Sequence, residues 1–315
     1  MKIGVIMDNI HGLNLKNDST LRIAKALSAH GNELFFIDYE KITLSTALIA
    51  ECYTFNINDC LIGKELDIRS FKMELSDCDI ILIRKDPPFD MKYITLTYLL
   101  DIISKNTLIL NSPASIRAFP EKLSPLLFKN LTPDTIISAD LAELIAFLKK
   151  YKKIVIKPIY QHGGRDVEKI SFDEYNCEAK IAAKLLEFGH IIAQDFIDEV
   201  GDKRVIMLQG RTIGQFKRIP QEGEFRANIA LGSSVFKTDL TQREREICEI
   251  ISNFLINNEI FLAGIDIAGE KLIEINITSP TGIVQLNKLY GEVFEEEIAS
   301  AIETKFHSWY KPATR

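Results

Sequence analysis

Four near-continuous apolar runs in the first 110 residues constrain this chain more than any other feature. They are residues 2–7, 33–37 (Glu-Leu-Phe-Phe-Ile), 79–83 (Asp-Ile-Ile-Leu-Ile) and 107–110 (Thr-Leu-Ile-Leu). Strands apolar on both sides must be covered on both faces, which is the situation of a parallel sheet between helical layers. The intervening segments supply the helices. Asp18-Ser19-Thr20 offers N-caps for one running toward His30-Gly31, where Gly31 can end it, and a second spans about 92–104.

The pattern changes after about residue 120. Residues 153–158 and 167–171 read as partner strands across a loop with two glycines. A helix over about 177–188, a strand at 191–194 and a hairpin of 204–209 with 212–218 follow. Then come a helix over 241–256, a second hairpin over 261–277 and a last helix over about 292–307, closed by Pro312. Antiparallel strands mixed with helices indicate α+β construction. Polar, glycine-containing stretches near 198–203 and 219–234 are the expected mobile loops. At 315 residues, with 46% hydrophobic and 26% charged, the chain suits about two globular domains.

Several function classes are disfavoured. The formal charge of -6 argues against affinity for nucleic acid through a basic field. No 18 consecutive apolar residues occur, and the first apolar run is too short for a signal segment and ends at Asp8, so a cytoplasmic, membrane-free protein is expected. Cys52, Cys60, Cys78, Cys177 and Cys248 are odd in number and form no CxxC pair, which suits reduced, structural thiols. No GxSxG, HExxH or GxGxxG is present, leaving little support for hydrolase, zincin or dinucleotide chemistry.

The sharpest local feature is the second hairpin, where Asp266, Glu274 and Asn276 interrupt an apolar alternation. Glu274 and Asn276 are two apart and share a face. A two-residue Gly269-Glu270 turn pairs Asp266 with Ile273 and separates the acids. An odd-numbered loop sets Asp266 beside Glu274 and Asn276 and keeps the isoleucines together. Mixing an apolar face with a polar one is the costlier choice, so the odd loop is expected. Two carboxylates and an amide oxygen are hard ligands that suit Mg²⁺ shared with substrate phosphates.

Three other segments can hold anions. Lys157 precedes Pro158 and the loop Gln161-His162-Gly163-Gly164-Arg165, whose backbone N–H groups can lie on phosphates. Arg218 and Arg226 bracket a loop and can clamp an anion bidentately. Arg84-Lys85-Asp86-Pro87-Pro88-Phe89-Asp90 follows the third strand, at the carboxyl end where parallel sheets commonly bind ligands.

Taken together these segments resemble the bacterial glutathione synthetases, a family of ATP-grasp ligases, from Met1 to about residue 305. The most specific stretch is Arg84 to Asp90 (RKDPPFD). Others are Asn111-Ser112-Pro113 with Arg117, Glu121 and Lys122; Leu131-Thr132-Pro133; Gly201-Asp202-Lys203-Arg204; Arg218-Ile219-Pro220-Gln221; and Glu274 through Thr281. The resemblance implies an N-terminal parallel-sheet substrate domain (1–120) followed by an ATP-grasp module (121–315), with a lid over about 130–196.

It further implies that Lys122 and Lys157 contact nucleotide phosphates, that Gln194, Asp195, Phe196 and Ile197 line the adenine pocket, and that the Gly163-Gly164 loop closes over the phosphates. Lys203 joins the nucleotide-binding set. Asp266, Glu274 and Asn276 match metal ligands for Mg²⁺, with Mn²⁺ as the alternative ion. Arg84, Asp86, Arg226, Asn228, Ser279 and Thr281 are the substrate-binding candidates, and Arg218 stabilises the developing oxyanion. The implied reaction joins γ-glutamylcysteine to glycine through an acyl phosphate formed from ATP, in a homodimer or homotetramer. A related ligase with another amine acceptor, or a nucleotide-binding regulator without turnover, are the alternatives. The chain departs from the family pattern at Pro120, Gln161, His162, Arg165, Phe225, Ala227, Leu231, Ser233 and Gly282-Ile283-Val284. Arg165 is expected to add an anion contact.

Overall fold

The computed structural model describes residues 1–310 apart from Leu13 and Lys16; Pro312, expected to close the last helix, lies outside the described residues. Among the described residues the strands form three sheets. The first contains β1 (Lys2–Ile6), β2 (Glu33–Leu44), β3 (Leu48–Thr54), β4 (Arg69–Glu74), β5 (Ile80–Ile83) and β6 (Leu108–Leu110), in the order β4-β3-β2-β1-β5-β6. The four apolar runs pair in parallel, as their composition demands. Strands β3 and β4, joined through a short helix, extend this sheet antiparallel from β2, an addition absent from the sequence reading. Its outer strand β4 is mostly exposed and charged, so it carries no continuous apolar run to announce it.

Helices α1 (Ser19–Ala29), α2 (Ile57–Leu61), α3 (Met91–Ile103) and α4 (Pro113–Ala118) belong to this region. Asp18 caps α1 by accepting the Leu21 N–H at 2.8 Å. Both faces of the sheet are covered. Ile3 and Val5 lie in a core with Leu21 and Leu27 of α1, while Ile6, Ile81 and Ile83 pack with Tyr93, Leu96 and Leu100 of α3.

The second sheet holds β7 (Thr135–Ser138), β8 (Lys153–Pro158), β9 (Glu168–Ser171) and β10 (Ile191–Asp195), antiparallel in the order β7-β10-β8-β9. Helices α5 (Leu141–Tyr151) and α6 (Cys177–Phe188) cover it, sharing a core of Leu144, Leu148, Ile154, Ile156 and Ile181. The third sheet holds β11 (Asp202–Leu208), β12 (Arg211–Ile219), β13 (Ser234–Phe236), β14 (Leu262–Ala268) and β15 (Lys271–Asn276), in the order β13-β12-β11-β14-β15. Helix α7 (Gln242–Asn257) packs on one face through Ile247, Ile251 and Leu255, and its start carries a full capping box between Thr241 and Glu244.

The chain ends with α8 (Ile283–Tyr290) and α9 (Phe294–Trp309). Ile298 and Ile302 of α9 join the core beneath β1 and α1, so the last helix of the expected second domain packs on the sheet of the first. Asn111 ties the same two parts together. Its amide donates to the carbonyls of Leu262 and Ile277 at 2.8 and 2.7 Å, and its carbonyl accepts the N–H groups of Phe261 and Leu262. All five cysteines are free and buried. Among the described residues no helix is long and apolar enough to cross a membrane.

Candidate active site

A cleft of about 350 Å³ opens between the second and third sheets. The connection from β10 to β11 and the loop from β12 toward β13 supply its remaining walls. Its chemistry comes from strand faces. On β11 the period of two puts Asp202 and Arg204 on one side and Lys203 on the other. The antiparallel register then sets Asp202 opposite Arg218 and Arg204 opposite Asp266.

The outcome is a chain of alternating charge across three strands. Arg218 donates Nε to Asp202 Oδ1 at 2.6 Å and Nη2 to Asp202 Oδ2 at 2.7 Å, and Nη2 also lies 3.0 Å from Asp266 Oδ1. Arg204 grips Asp266 through Nε (2.5 Å) and Nη2 (2.9 Å) and donates Nη1 to the Thr281 carbonyl at 3.1 Å. Such bidentate pairs fix the planes of both partners. Burial opposes the charge on Asp266, but Arg204 and Arg218 outweigh it and hold its carboxyl below the usual range. Burial likewise opposes the Arg218 cation, and Asp266 and Asp202 more than restore it.

The hairpin β14–β15 reaches the expected neighbourhood of acids by an unexpected route. The turn is the two-residue Gly269-Glu270, with positive φ at both positions, the type I′ geometry. Asp266 nonetheless stands opposite Glu274, because the register shifts between Asp266 and Ile267 and leaves Ile273 as an extra residue on β15. The bulge does what the odd loop was expected to do. It also frees Ile273 to line the cleft instead of joining the Ile265–Ile275 face.

Three oxygen-bearing side chains therefore converge, with different partners. Asp266 is held by the arginines. The Asn276 amide donates to the Gly264 carbonyl at 3.0 Å and to Asp266 Oδ2 at 3.2 Å, which leaves its carbonyl oxygen as the outward group. Glu274 is half-buried, and burial pushes its carboxyl up against the pull of Lys122. Among the described residues no three His, Cys, Asp or Glu side chains suffice to hold a metal ion by themselves. Glu274 with Asn276 fits a hard divalent cation whose remaining ligands come from phosphate oxygens and water.

Two lysines face this group. Lys122 is buried and donates to the carbonyls of Pro158 and Gln161. Its neighbour Glu121 is locked to β15, with one carboxylate oxygen accepting from the Ile277 N–H, the Thr278 N–H and the Thr278 hydroxyl. Lys157, near the end of β8, donates to Gln194 Oε1 at 2.7 Å, and Gln194 in turn donates to Thr135 at 3.0 Å. Burial lowers both ammonium groups; for Lys157 the value falls to about 8, with Glu274 resisting and Lys122 adding to the fall.

Beyond β8 the loop turns on Gly163 and Gly164, whose φ values of 66° and 74° favour glycine. Both line the cleft, as do Gln194, Asp195, Phe196 and Ile197. Arg226 spans the two loops, donating Nη1 to the Gly164 carbonyl at 2.8 Å and Nη2 to Glu224 at 2.6 Å. Phe225 meets Phe196 edge-on, with ring centroids 6.4 Å apart. Asn228 also lines the cleft.

The structure brings together Lys122, Lys157, Arg218, Arg226, Asp266, Glu274 and Asn276, but it separates other candidates from them. Lys203 faces away from the cleft and pairs with Glu244 of α7 at 2.7 Å. Arg165 is exposed. Thr281 stays tied to the first group through its carbonyl, which accepts from Arg204, while Arg84, Asp86 and Ser279 form a second group, at the seam between the first and third sheets. Arg84 is buried there, donating to Thr20 at 3.1 Å and to the Pro280 carbonyl at 2.9 Å. Asp86 hydrogen-bonds Ser279, and burial raises its carboxyl. Sequence reasoning passed over Asp202 and Arg204, choosing the lysine between them. Once Arg218 and Asp266 were candidates, the alternation of β11 was the signal that could have found both.

Residues 1–117 match the N-terminal domain and residues 121–291 the ATP-grasp domain of prokaryotic glutathione synthetase. A curated glutathione synthetase from Mesorhizobium japonicum is 34% identical over 314 residues, covering 97% of this chain and 99% of its own. One from Agrobacterium fabrum is 36% identical over 313 residues, covering 96% of each chain. Among solved structures a D-cycloserine synthetase superposes with a TM-score of 0.68 at 13% identity, covering 96% of this chain and 99% of its own, a likeness of fold alone.

Proposed function

The chain belongs to the prokaryotic glutathione synthetase family, and from that premise we propose that it joins γ-glutamylcysteine to glycine, using ATP. One observation supports this reading most: two shielded lysines face a carboxylate and an amide oxygen across a single cleft. Lysines beside a carboxylate in a partly dry pocket suit a polyanion accompanied by a divalent cation. The nucleotide's base occupies the space beside Phe196 and Ile197, and its phosphates run toward Lys157, Lys122 and the Gly163-Gly164 loop. Glu274 and Asn276 hold the cation, Mg²⁺ or Mn²⁺, with Asp266 behind them. When bound, the cation withdraws charge from the phosphate oxygens.

A cysteinyl carboxylate oxygen attacks the γ-phosphorus of ATP in line, and ADP leaves. The glycine amine then attacks the acyl carbon, the amine loses a proton, and inorganic phosphate departs. Arg218, pinned by Asp202, offers a fixed cation to the oxyanion that develops. Arg84, Asp86, Ser279 and Thr281 receive the peptide at the seam between sheets. Arg226 and Asn228 close over it, keeping water from the acyl phosphate. Five unpaired buried thiols suit a reducing cytoplasm.

The deciding experiment measures ADP release with ATP, Mg²⁺ and γ-glutamylcysteine, with and without glycine, and identifies the product by mass spectrometry. Glycine-dependent release with glutathione as product supports the reading. ADP release that requires a different amine moves the chain to another acceptor. Bound ATP without turnover for any amine refutes the ligase assignment.

A further inference from the structure

The surroundings of His162 give it a use. It precedes the two left-handed glycines of the β8–β9 loop, and its carbonyl accepts the Arg165 N–H at 3.1 Å, closing the turn. The ring is half-buried, yet its Nδ1 is shielded from solvent and has no hydrogen-bond partner among the described residues. A shielded ring nitrogen left unpaired is costly unless a ligand completes it.

Its position says which ligand. His162 lines the cleft and also a small cavity bounded by Pro87 and Phe89, and Glu121, Lys122 and Glu274 line both as well. These four side chains thus form the partition between the proposed nucleotide cleft and the Pro87–Phe89 turn of the substrate region. Burial, Arg165, Lys122 and Lys85 lower the imidazole's proton affinity, and Asp8 opposes them. Of the carboxylates on the same wall, Glu121 already accepts from Ile277 and Thr278, and a neutral ring beside Lys122 can donate from Nδ1 to an anionic oxygen.

We propose that His162 Nδ1 donates a hydrogen bond to the phosphoryl group in transit between nucleotide and peptide carboxylate. This rests on the nucleotide reading of the cleft. No bond is made or broken by the ring. It orients the terminal phosphoryl oxygens beside Lys122, where the carboxylate approaches.

The test uses the full chain with selectively ¹⁵N-labelled histidine. Addition of Mg²⁺ and a non-hydrolysable ATP analogue should shift the Nδ1 resonance of His162 and raise its pKa, because the added anion stabilises the imidazolium. Mg²⁺ with ADP should do neither. Calorimetry should find His162→Met about tenfold weaker for the ATP analogue and within twofold of wild type for ADP, the loss of one charge-assisted bond. His162→Gln should recover most of the difference. The proposal is overturned if the resonance ignores the γ-phosphate, or if His162→Met weakens ADP and the ATP analogue equally. If the wild-type chain binds neither nucleotide, the nucleotide reading itself fails, and with it this inference.

Discussion

Asp202→Asn tests the logic of the charge chain most directly. Asp202 and Arg218 are both well shielded, and Arg204, Arg218, Asp202 and Asp266 together balance two positive charges against two negative. The asparagine keeps the shape and one acceptor. It turns the other oxygen into a donor facing a guanidinium N–H, and it leaves the buried set with one unbalanced positive charge. Breaking one side of a buried ion pair costs about 3–5 kcal/mol, most of it the uncompensated charge. At about 2–4 °C per kcal/mol for a unit of this size, the melting temperature should fall by roughly 10 °C. Chemical denaturation of wild type, Asp202→Asn, Arg218→Met and the double variant supplies the four corners of a cycle. The double variant should be less damaged than the sum of the singles by about 2 kcal/mol or more, because the second change removes the charge that the first stranded. ATP-dependent turnover should fall with Asp202→Asn, since Arg218 loses its orientation. Stability within 0.5 kcal/mol of wild type, or strict additivity, would refute the view that these residues act as one network.

Three further outcomes follow from the geometry. Gly201 has φ of 81°, and a Cβ there would lie 2.0 Å from the Arg218 carbonyl oxygen; Gly201→Ala should therefore cost about 3 kcal/mol or more in denaturant melts and displace Arg218. His30 lies between Glu296 and Glu303 at 2.9 and 3.1 Å, and its hydrogen bonds to them raise its pKa. The stability this lends is fully present below the unfolded pKa near 6.5 and lost as pH rises through the folded value, so the melting difference between wild type and His30→Gln should shrink from pH 6 to pH 8. Lys157 is charged below about 8, so ATP affinity should weaken as pH rises through that value, with proton uptake on binding at pH 8.5 that Lys157→Met abolishes; calorimetry in buffers of different ionisation enthalpy reads this directly.

Much of the architecture was legible in the sequence because it rests on local patterns. The apolar runs at 79–83 and 107–110 could only be covered strands, and they pair in parallel beside β1. Residues 177–188 carry a helical period, and α6 spans Cys177–Phe188. β7 and α8 escaped notice because their signals are short, whereas α5 was legible and missed: Asp140 caps it, Leu144, Ile145 and Leu148 follow helical spacing, and Lys149-Lys150 close it.

The site divides along the same line. Glu274 and Asn276 share a face by period alone, and a polar face set against isoleucines required Asp266 to join them. Only the folded structure decided that a bulge at Ile273, rather than an odd turn, brings this about. It decided too that Asp202 and Arg204, not Lys203, meet Arg218 and Asp266. Side-chain period is a property of one strand and can be read from one segment. Ion pairing across β12, β11 and β14 depends on the register between segments far apart in the chain, and a slip of one residue reverses which face every side chain presents. That register exists only once the three strands have assembled.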